Sequence, residues 1–488
     1  MAQWRLLDER DMEPLSQAVC EVLERVGVLC QNADTLAALE AMGARVDHEA
    51  QRARFPIALT LDFIQSLRDA AGLDADSVTA DTPEDMRRTQ QRPFVSPDLP
   101  TLGTQVAQFY YDWPSRSARP GNREDFITLV KLADVLHPDV GAGHALLLTE
   151  THPLLEPLEA ALLLAEYSSN PGPAFAWNVA QTDYLEEMGQ ILGIEEWYTW
   201  GSNCFAHPLR FDRDVVDKYY RRTLEGDPAG MNAMPIAAFT TPATVEGFVV
   251  VAAAEHVAAW MTARAINPDV SLLGSLWAGT IDMRTGGVSY CAFDAMHRAF
   301  AVVEFLERWC GVSVSVGGGE YCSAKVPGMQ AALEKAYKAM TIAAFTGHHP
   351  VIGQGMLDNG KMLAPVQLLL ERDLATGVQH FARPVESTHE NIGLSGVFEV
   401  DLGLETNHLI SDHTLHHFRQ ALWLPEFIHR SGFEGYEQET AMLDCIQQRM
   451  EELLAQYHKP EGRERQLAQM REVVERARVE LPGRKTKA

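Results

Sequence analysis

The first hundred positions carry helical patterning. Downstream of Asp11, Leu15, Val19, Val22, Leu23 and Val26 recur at the interval of an amphipathic helix, with Gly27 as its stop. Asn32 is placed to cap a second helix through Leu36 and Leu39, ended by Gly43. Residues 74–100 turn polar and proline-rich, the texture of a linker or surface loop. From Thr104 the pattern changes. Short β-prone runs, each followed by a turn and an amphipathic helix, fall at 104–110, 140–148, 174–179, 198–204, 231–238, 270–276, 312–316 and 350–354. Asn122 with Asp125 gives a capping-box-like helix start, and residues 244–265 and 293–309 are long, strongly patterned helices. The apolar stretch 247–261 carries Glu255 and His256, which marks a buried helix rather than a membrane span.

Eight strands alternating with helices over about 270 residues is the count of a (β/α)8 TIM barrel. A doubly wound open sheet is the rival, but it normally needs a glycine-rich fingerprint after its first strand, and none follows Tyr110. After Gly377 comes a mixed segment, then charged helices at 436–457 and 461–481. The expected organisation is an α/β barrel with helical extensions at both ends. Residues 1–100 form the N-terminal extension and linker, 101–377 the barrel, and 378–488 a C-terminal mixed segment and helical cap.

Composition narrows the function. The net charge of −26 disfavours a nucleic-acid partner, which needs a basic face, and a surface drawn to anionic lipid. The 7 cysteines are scattered without a CxxC pair, and no apolar run follows Met1, so a soluble cytoplasmic protein is expected.

In such a barrel, catalytic groups hang from the C-terminal ends of the strands. Those positions hold Trp177, Tyr198, Trp200, Trp277, the run Asp282-Met283-Arg284, then Gly317, Gly318, Gly319, Glu320 and Tyr321, with Lys325 and His348 nearby. Aromatic faces with a few carboxylates suit a quaternary ammonium, which cannot donate a hydrogen bond and is held by ring quadrupoles and a nearby anion. The same tryptophans could instead fill the core. The glycines could cradle a phosphate, but Glu320 would repel it, so close backbone packing is the better use. Asp282 and Arg284 can pair to pin their loop, while Lys325 is either an imine-forming lysine or a surface residue at a helix start. His413, His416 and His417 have helical spacing, but no carboxylate or cysteine completes a metal set; a surface cluster behind an Asp412 cap is favoured. No metal site is expected.

The chain resembles the trimethylamine methyltransferase family, barrel proteins that pass a methyl group from a methylated amine to a corrinoid protein. The likeness runs through Leu23-Glu-Arg-Val-Gly-Val, Ala41-Met-Gly-Ala-Arg-Val-Asp, Pro242-Ala-Thr with Ala254-Glu255, Asp282-Met-Arg-Thr-Gly, Gly317 to Lys325 with Gln330-Ala-Ala-Leu-Glu334, and His413-Thr414. It departs at Phe239-Thr240-Thr241, where small glycine-type residues are expected, at Gly328, where the family tends to place an aspartate, and at Glu371 and Asp373, which stand in reversed order.

The family's founding enzymes carry pyrrolysine. This chain contains no non-standard residue and looks like the relatives that act on quaternary amines such as glycine betaine. The resemblance implies methyl transfer to the Co(I) of a separate corrinoid protein, with no corrinoid held on this chain, and a homo-oligomer is expected. Glu320 and Asp282 are the candidate catalytic carboxylates. Trp177, Trp200, Tyr198, Trp277 and Tyr321 would face the methyl groups, and Arg284, Lys325 or His348 would grip a substrate carboxylate. The alternatives are a non-catalytic quaternary-ammonium binder, or a lyase on the same barrel using Lys325.

Overall fold

The computed structural model describes residues 5–73, 99–346, 350–381, 383–432 and 434–481. Most of the 74–100 segment, and His348, lie outside the described residues.

The N-terminal elements form as their patterning requires. Helix Glu9–Arg25 buries Leu15, Val19 and Leu23. Asn32 caps helix Ala33–Met42 by accepting the Thr35 N–H at 2.7 Å, and Gly43 closes it in left-handed backbone. Strand Val28–Cys30 pairs antiparallel with Arg52–Arg54, which pairs in turn with Arg45–Asp47, and on its other edge in parallel with Arg210–Phe211, so this extension is stitched directly to the rest of the protein.

Beyond residue 100 the architecture is mixed α/β, with short parallel strands alternating with helices. Parallel bridges link Ala107 to Leu146 and Ala142 to Pro171. Strand Ala174–Ala176 pairs with Tyr198–Trp200. Strand Gly274–Leu276 lies between Asn232–Ala233 and Val314–Val316, all parallel. The expected closed eight-stranded ladder is not present among the described residues. The parallel pairings fall into two arcs, one over residues 107–200 and one over 232–316, which are joined through side chains as well as backbone. The Asn232 N–H donates to the Asn203 carbonyl at 3.0 Å, and the Asn203 N–H donates to the Asn232 side-chain oxygen at 3.0 Å. Strands of two or three residues offer too few ladder positions to hydrogen-bond continuously around a ring. The run at 350–354 forms no strand, and antiparallel hairpins appear at Phe109–Asp112 with Ser117–Pro120 and at Gly279–Ile281 with Val288–Ser289.

Two large apolar cores among the described residues hold this arrangement. One combines the N-terminal helices with helices Val245–Ile266 and Phe293–Cys310. The other combines residues 102–197 and 356–370 with the C-terminal helices Tyr436–Leu454 and Glu464–Glu480. Each terminal extension therefore covers the outside of one half of the strand–helix alternation, removing apolar helix faces from water. Val245–Ile266 is long and apolar enough to cross a membrane, but it is buried in the first core, as Glu255 and His256 within it implied.

Helix Pro365–Phe381 leads into short helices at 389–400 and 412–421. Ser411, not Asp412, caps the Asp412–Ala421 helix, and two of its three histidines bond locally: His413 to the Glu390 carbonyl, His416 to the Asp412 carbonyl. Asp373 fastens the returning chain by accepting the backbone N–H groups of Glu426, Phe427 and Ile428 at 2.8, 2.9 and 2.8 Å. Removing this buried acceptor orphans three donors. Asp373→Ala is expected to cost about 2 kcal/mol and to speed amide exchange at residues 426–428, read by hydrogen–deuterium exchange; unchanged protection there would show that the clamp is dispensable.

Candidate active site

Two adjacent parallel strands set the site. Trp277 follows Gly274–Leu276, and Gly317 follows Val314–Val316. The Gly317 N–H donates to the Leu276 carbonyl at 2.8 Å, and the Trp277 N–H to the Ala233 carbonyl at 2.8 Å. The indole of Trp277 lies against Gly317 so closely that a Cβ there would meet ring atoms at 2.1 Å. A Cβ on Gly318 would meet the Glu320 carboxylate at 2.4 Å, and one on Gly319 the Val351 carbonyl at 2.9 Å. The glycine run therefore serves close packing.

Glu320 is buried, at 7% exposure. Its Oε1 accepts the Trp277 indole N–H at 2.9 Å and the Gln105 side-chain N–H at 3.3 Å. The Tyr321 ring stands 6.3 Å from Trp277 and 6.0 Å from Tyr290, inclined at 36° and 62°. The Lys338 ammonium lies 5.6 Å from the Tyr321 ring centre. Burial pushes the Tyr321 hydroxyl well up, helped by the Glu320 charge, and it pushes Tyr290 up as well. Lys338 is pushed down by burial, against the opposing pull of Glu320. The arrangement sets three partly buried rings beside one buried carboxylate and one buried amine, each neutral ring retaining its negative face.

The other candidate residues fall elsewhere. Trp177 stacks on Phe175 at 5.4 Å and 17°, and its indole N–H reaches Glu156 at 3.4 Å. Glu156 also bonds His144 at 3.0 Å and accepts the Leu148 N–H at 3.1 Å, so this carboxylate is engaged in holding its surroundings. Tyr198 and Trp200 meet edge to face at 5.5 Å and pack partly buried against the second core. No ring contact joins these groups to Trp277 among the described residues.

Asp282 sits at the turn of the 279–289 hairpin, accepting the Arg284 N–H and the Thr285 hydroxyl at 2.9 Å each; Arg284 points to solvent with its side chain 94% exposed. Lys325 is exposed. Among the described residues no group of three His, Cys, Asp or Glu side chains is disposed to hold a metal. A separate cavity of about 450 Å³ lies between the first helix and Val245–Ile266, lined by residues such as Leu15, Val249 and His297.

Sequence reasoning brought Trp277, Glu320 and Tyr321 together but missed Tyr290, Gln105 and Lys338. Lys338 left a readable signal. Ala331, Ala332, Lys335, Lys338, Ala339 and Ile342 form one buried face of helix Met329–Thr346, and lysines on such a face need a reason.

The family profile described as "Trimethylamine methyltransferase (MTTB)" matches residues 196–482. The chain is 20% identical to "Glycine betaine methyltransferase" of Desulfitobacterium hafniense (strain Y51), over 94% of each protein. It is 22% identical to "Trimethylamine methyltransferase MttB" of Methanosarcina barkeri (strain Fusaro / DSM 804) over 200 residues, which are 41% of this chain and 40% of that protein. The match to the same enzyme of Methanosarcina thermophila is also 22% identical, over 41% of each. The chain thus spans about two fifths of the length of the Methanosarcina relatives. The profile match takes in more than half of the sequence, including Trp277, Tyr290, Glu320, Tyr321 and Lys338, and the chain belongs to the trimethylamine methyltransferase family.

Proposed function

We propose that this protein is a methyltransferase that moves a methyl group from a quaternary amine of glycine betaine type to the Co(I) centre of a separate corrinoid protein. The observation that carries the reading is the ring cluster of Trp277, Tyr321 and Tyr290 around the buried, indole-bonded Glu320. It is supported by the resemblance to a relative named for glycine betaine over 94% of both chains. We further propose that the parallel arcs are parts of a (β/α)8 barrel spanning 101–377, flanked by the extensions 1–100 and 378–488, in a cytoplasmic homo-oligomer.

A Co(I) corrinoid held by the partner would supply the nucleophile for an in-line displacement at the methyl carbon. The electron pair of the breaking C–N bond stays on nitrogen, so a quaternary donor leaves as a neutral tertiary amine and requires no proton. The protein's work is to bind and orient the donor. Positive charge on nitrogen fades as the bond breaks, so an anion in direct contact would favour the ground state. Rings hold the cation more weakly than a contact ion pair would and so forfeit less as its charge fades, and Glu320, with one oxygen already bonded to an indole and an amide, acts as a tempered counter-charge. Asp282 and Arg284 serve the hairpin turn in this scheme rather than the reacting groups. Lys325, being exposed, lacks the burial that activates an imine-forming lysine, which weighs against the lyase alternative.

The test is a panel of quaternary amines with Co(I) cobalamin, followed by absorbance of the methylated corrinoid and by mass detection of the demethylated amine. One equivalent of tertiary amine per methylated cobalt is expected from a betaine-type donor. Binding of the donors with no demethylation from any of them would leave a binding protein in place of an enzyme.

A further inference from the structure

Lys338 lies at 2% exposure on the inner face of helix Met329–Thr346, and among the described residues its ammonium makes no hydrogen bond and no ion pair. A buried charge without a bonded partner is costly, and the neighbouring groups offset that cost only in part, since burial still outweighs the pull of Glu320. Glu320, the acidic group that acts on it most strongly, is already bonded to Trp277 and Gln105. The nearby Cys322 thiol is pushed up to about 12 by burial and is uncharged at neutral pH. Lys335, one turn earlier, is paired with Glu371. What lies in front of the Lys338 ammonium is the ring of Tyr321, the same ring that faces Trp277 and Tyr290.

We propose that Lys338 is the anchor for a carboxylate on the methyl donor, so that the site selects betaines over choline-like cations. The inference rests on the donor-site reading above and deepens it. The charge count carries it. Without ligand, the ring cluster holds one buried carboxylate, Glu320, and one buried amine, Lys338, whose charged form burial disfavours and a bound anion would favour. A betaine brings both signs and leaves the site neutral, its ammonium among the rings and its carboxylate completing the ammonium of Lys338. Choline brings only positive charge and leaves Lys338 both unpaired and repelled. A site that hydrogen-bonds a polar group rejects ligands lacking it far more strongly than an apolar site rejects an extra group. Arg284 and Lys325, the cations expected from sequence to do this work, are exposed, whereas Lys338 is desolvated, which gives its pairing greater strength.

Equilibrium binding by calorimetry on the full chain separates this inference from methyl transfer, because no corrinoid is needed. The probes are glycine betaine, choline and tetramethylammonium. The native protein is expected to bind glycine betaine at least tenfold more tightly than choline. Lys338→Met is expected to lower betaine affinity at least tenfold while leaving choline affinity unchanged or improved, and Lys338→Arg to retain part of the betaine preference. Lys338→Gln serves in place of the methionine variant if that one does not fold. An equal loss for all three ligands would make Lys338 a structural residue and overturn the proposal, as would native protein that prefers choline or binds none of the three. Betaine selectivity that depends on Lys338, in a protein that transfers no methyl group, would uphold the anchor and refute the methyltransferase reading alone.

Discussion

Glu371→Ala or Lys335→Ala is expected to destabilise the protein by about 3–5 kcal/mol, because each leaves a charge buried without its partner. Lys335 and Glu371 are both at 0% side-chain exposure and bond directly between helices Met329–Thr346 and Pro365–Phe381. Glu371 also holds backbone, its other oxygen accepting the Gly355 N–H at 2.7 Å. The approach is so close that a Cβ on Gly353 would lie 1.6 Å from that carboxylate. The pair therefore ties two helices to residues 353–355, a run without strand hydrogen bonds. Denaturant titration of the single variants and of Lys335→Met with Glu371→Leu checks this. The double variant removes both charges and should lose less than either single one. Single variants within about 1 kcal/mol of native would mean that water reaches the pair.

The same helices show what the sequence could reveal. Periodicity was enough for the elements with one apolar face: the caps at Asn32 and Asn122 act as expected, the latter accepting the Asp125 N–H at 3.0 Å, and the buried Val245–Ile266 helix lies where its pattern put it. The strands were legible only as an alternation. Runs such as 140–148 and 350–354 are apolar enough to be strands, but glycines at 141, 143 and 353 break them into bridges and turns. Their fixing comes from side chains distant in sequence, such as Glu371 and the Gln354–Thr104 bond at 2.5 Å, which no local pattern encodes.

The site divided in the same way. Trp277, Glu320 and Tyr321 lie at strand ends and were found by that logic, while Tyr290 enters from a hairpin and Lys338 from a helix. Trp177 and Asp282 occupy equivalent strand-end positions, yet one stacks on Phe175 and the other closes a turn. Position at a strand end supplies candidates; only contacts sort them.

Trp277→Ala is expected to weaken glycine betaine binding about 30-fold, from the loss of roughly 2 kcal/mol of desolvated cation–ring attraction. Trp277 performs two functions, presenting a ring face and donating its indole N–H to Glu320 at 2.9 Å. Trp277→Phe separates them, since it keeps a ring and removes the donor. With Glu320 less restrained, its carboxylate is free to contact the substrate cation directly, so the phenylalanine variant should bind the donor nearly as well yet transfer its methyl group more slowly. Gly317→Ala reaches the same indole from behind: the added methyl would need the space 2.1 Å from the ring and must displace it. Calorimetry for affinity and single-turnover kinetics for transfer distinguish these effects, with thermal melting as the check on folding. If Trp277→Ala and Gly317→Ala, both folded, bind the betaine as the native protein does, the rings of this cluster are packing and the donor is held elsewhere.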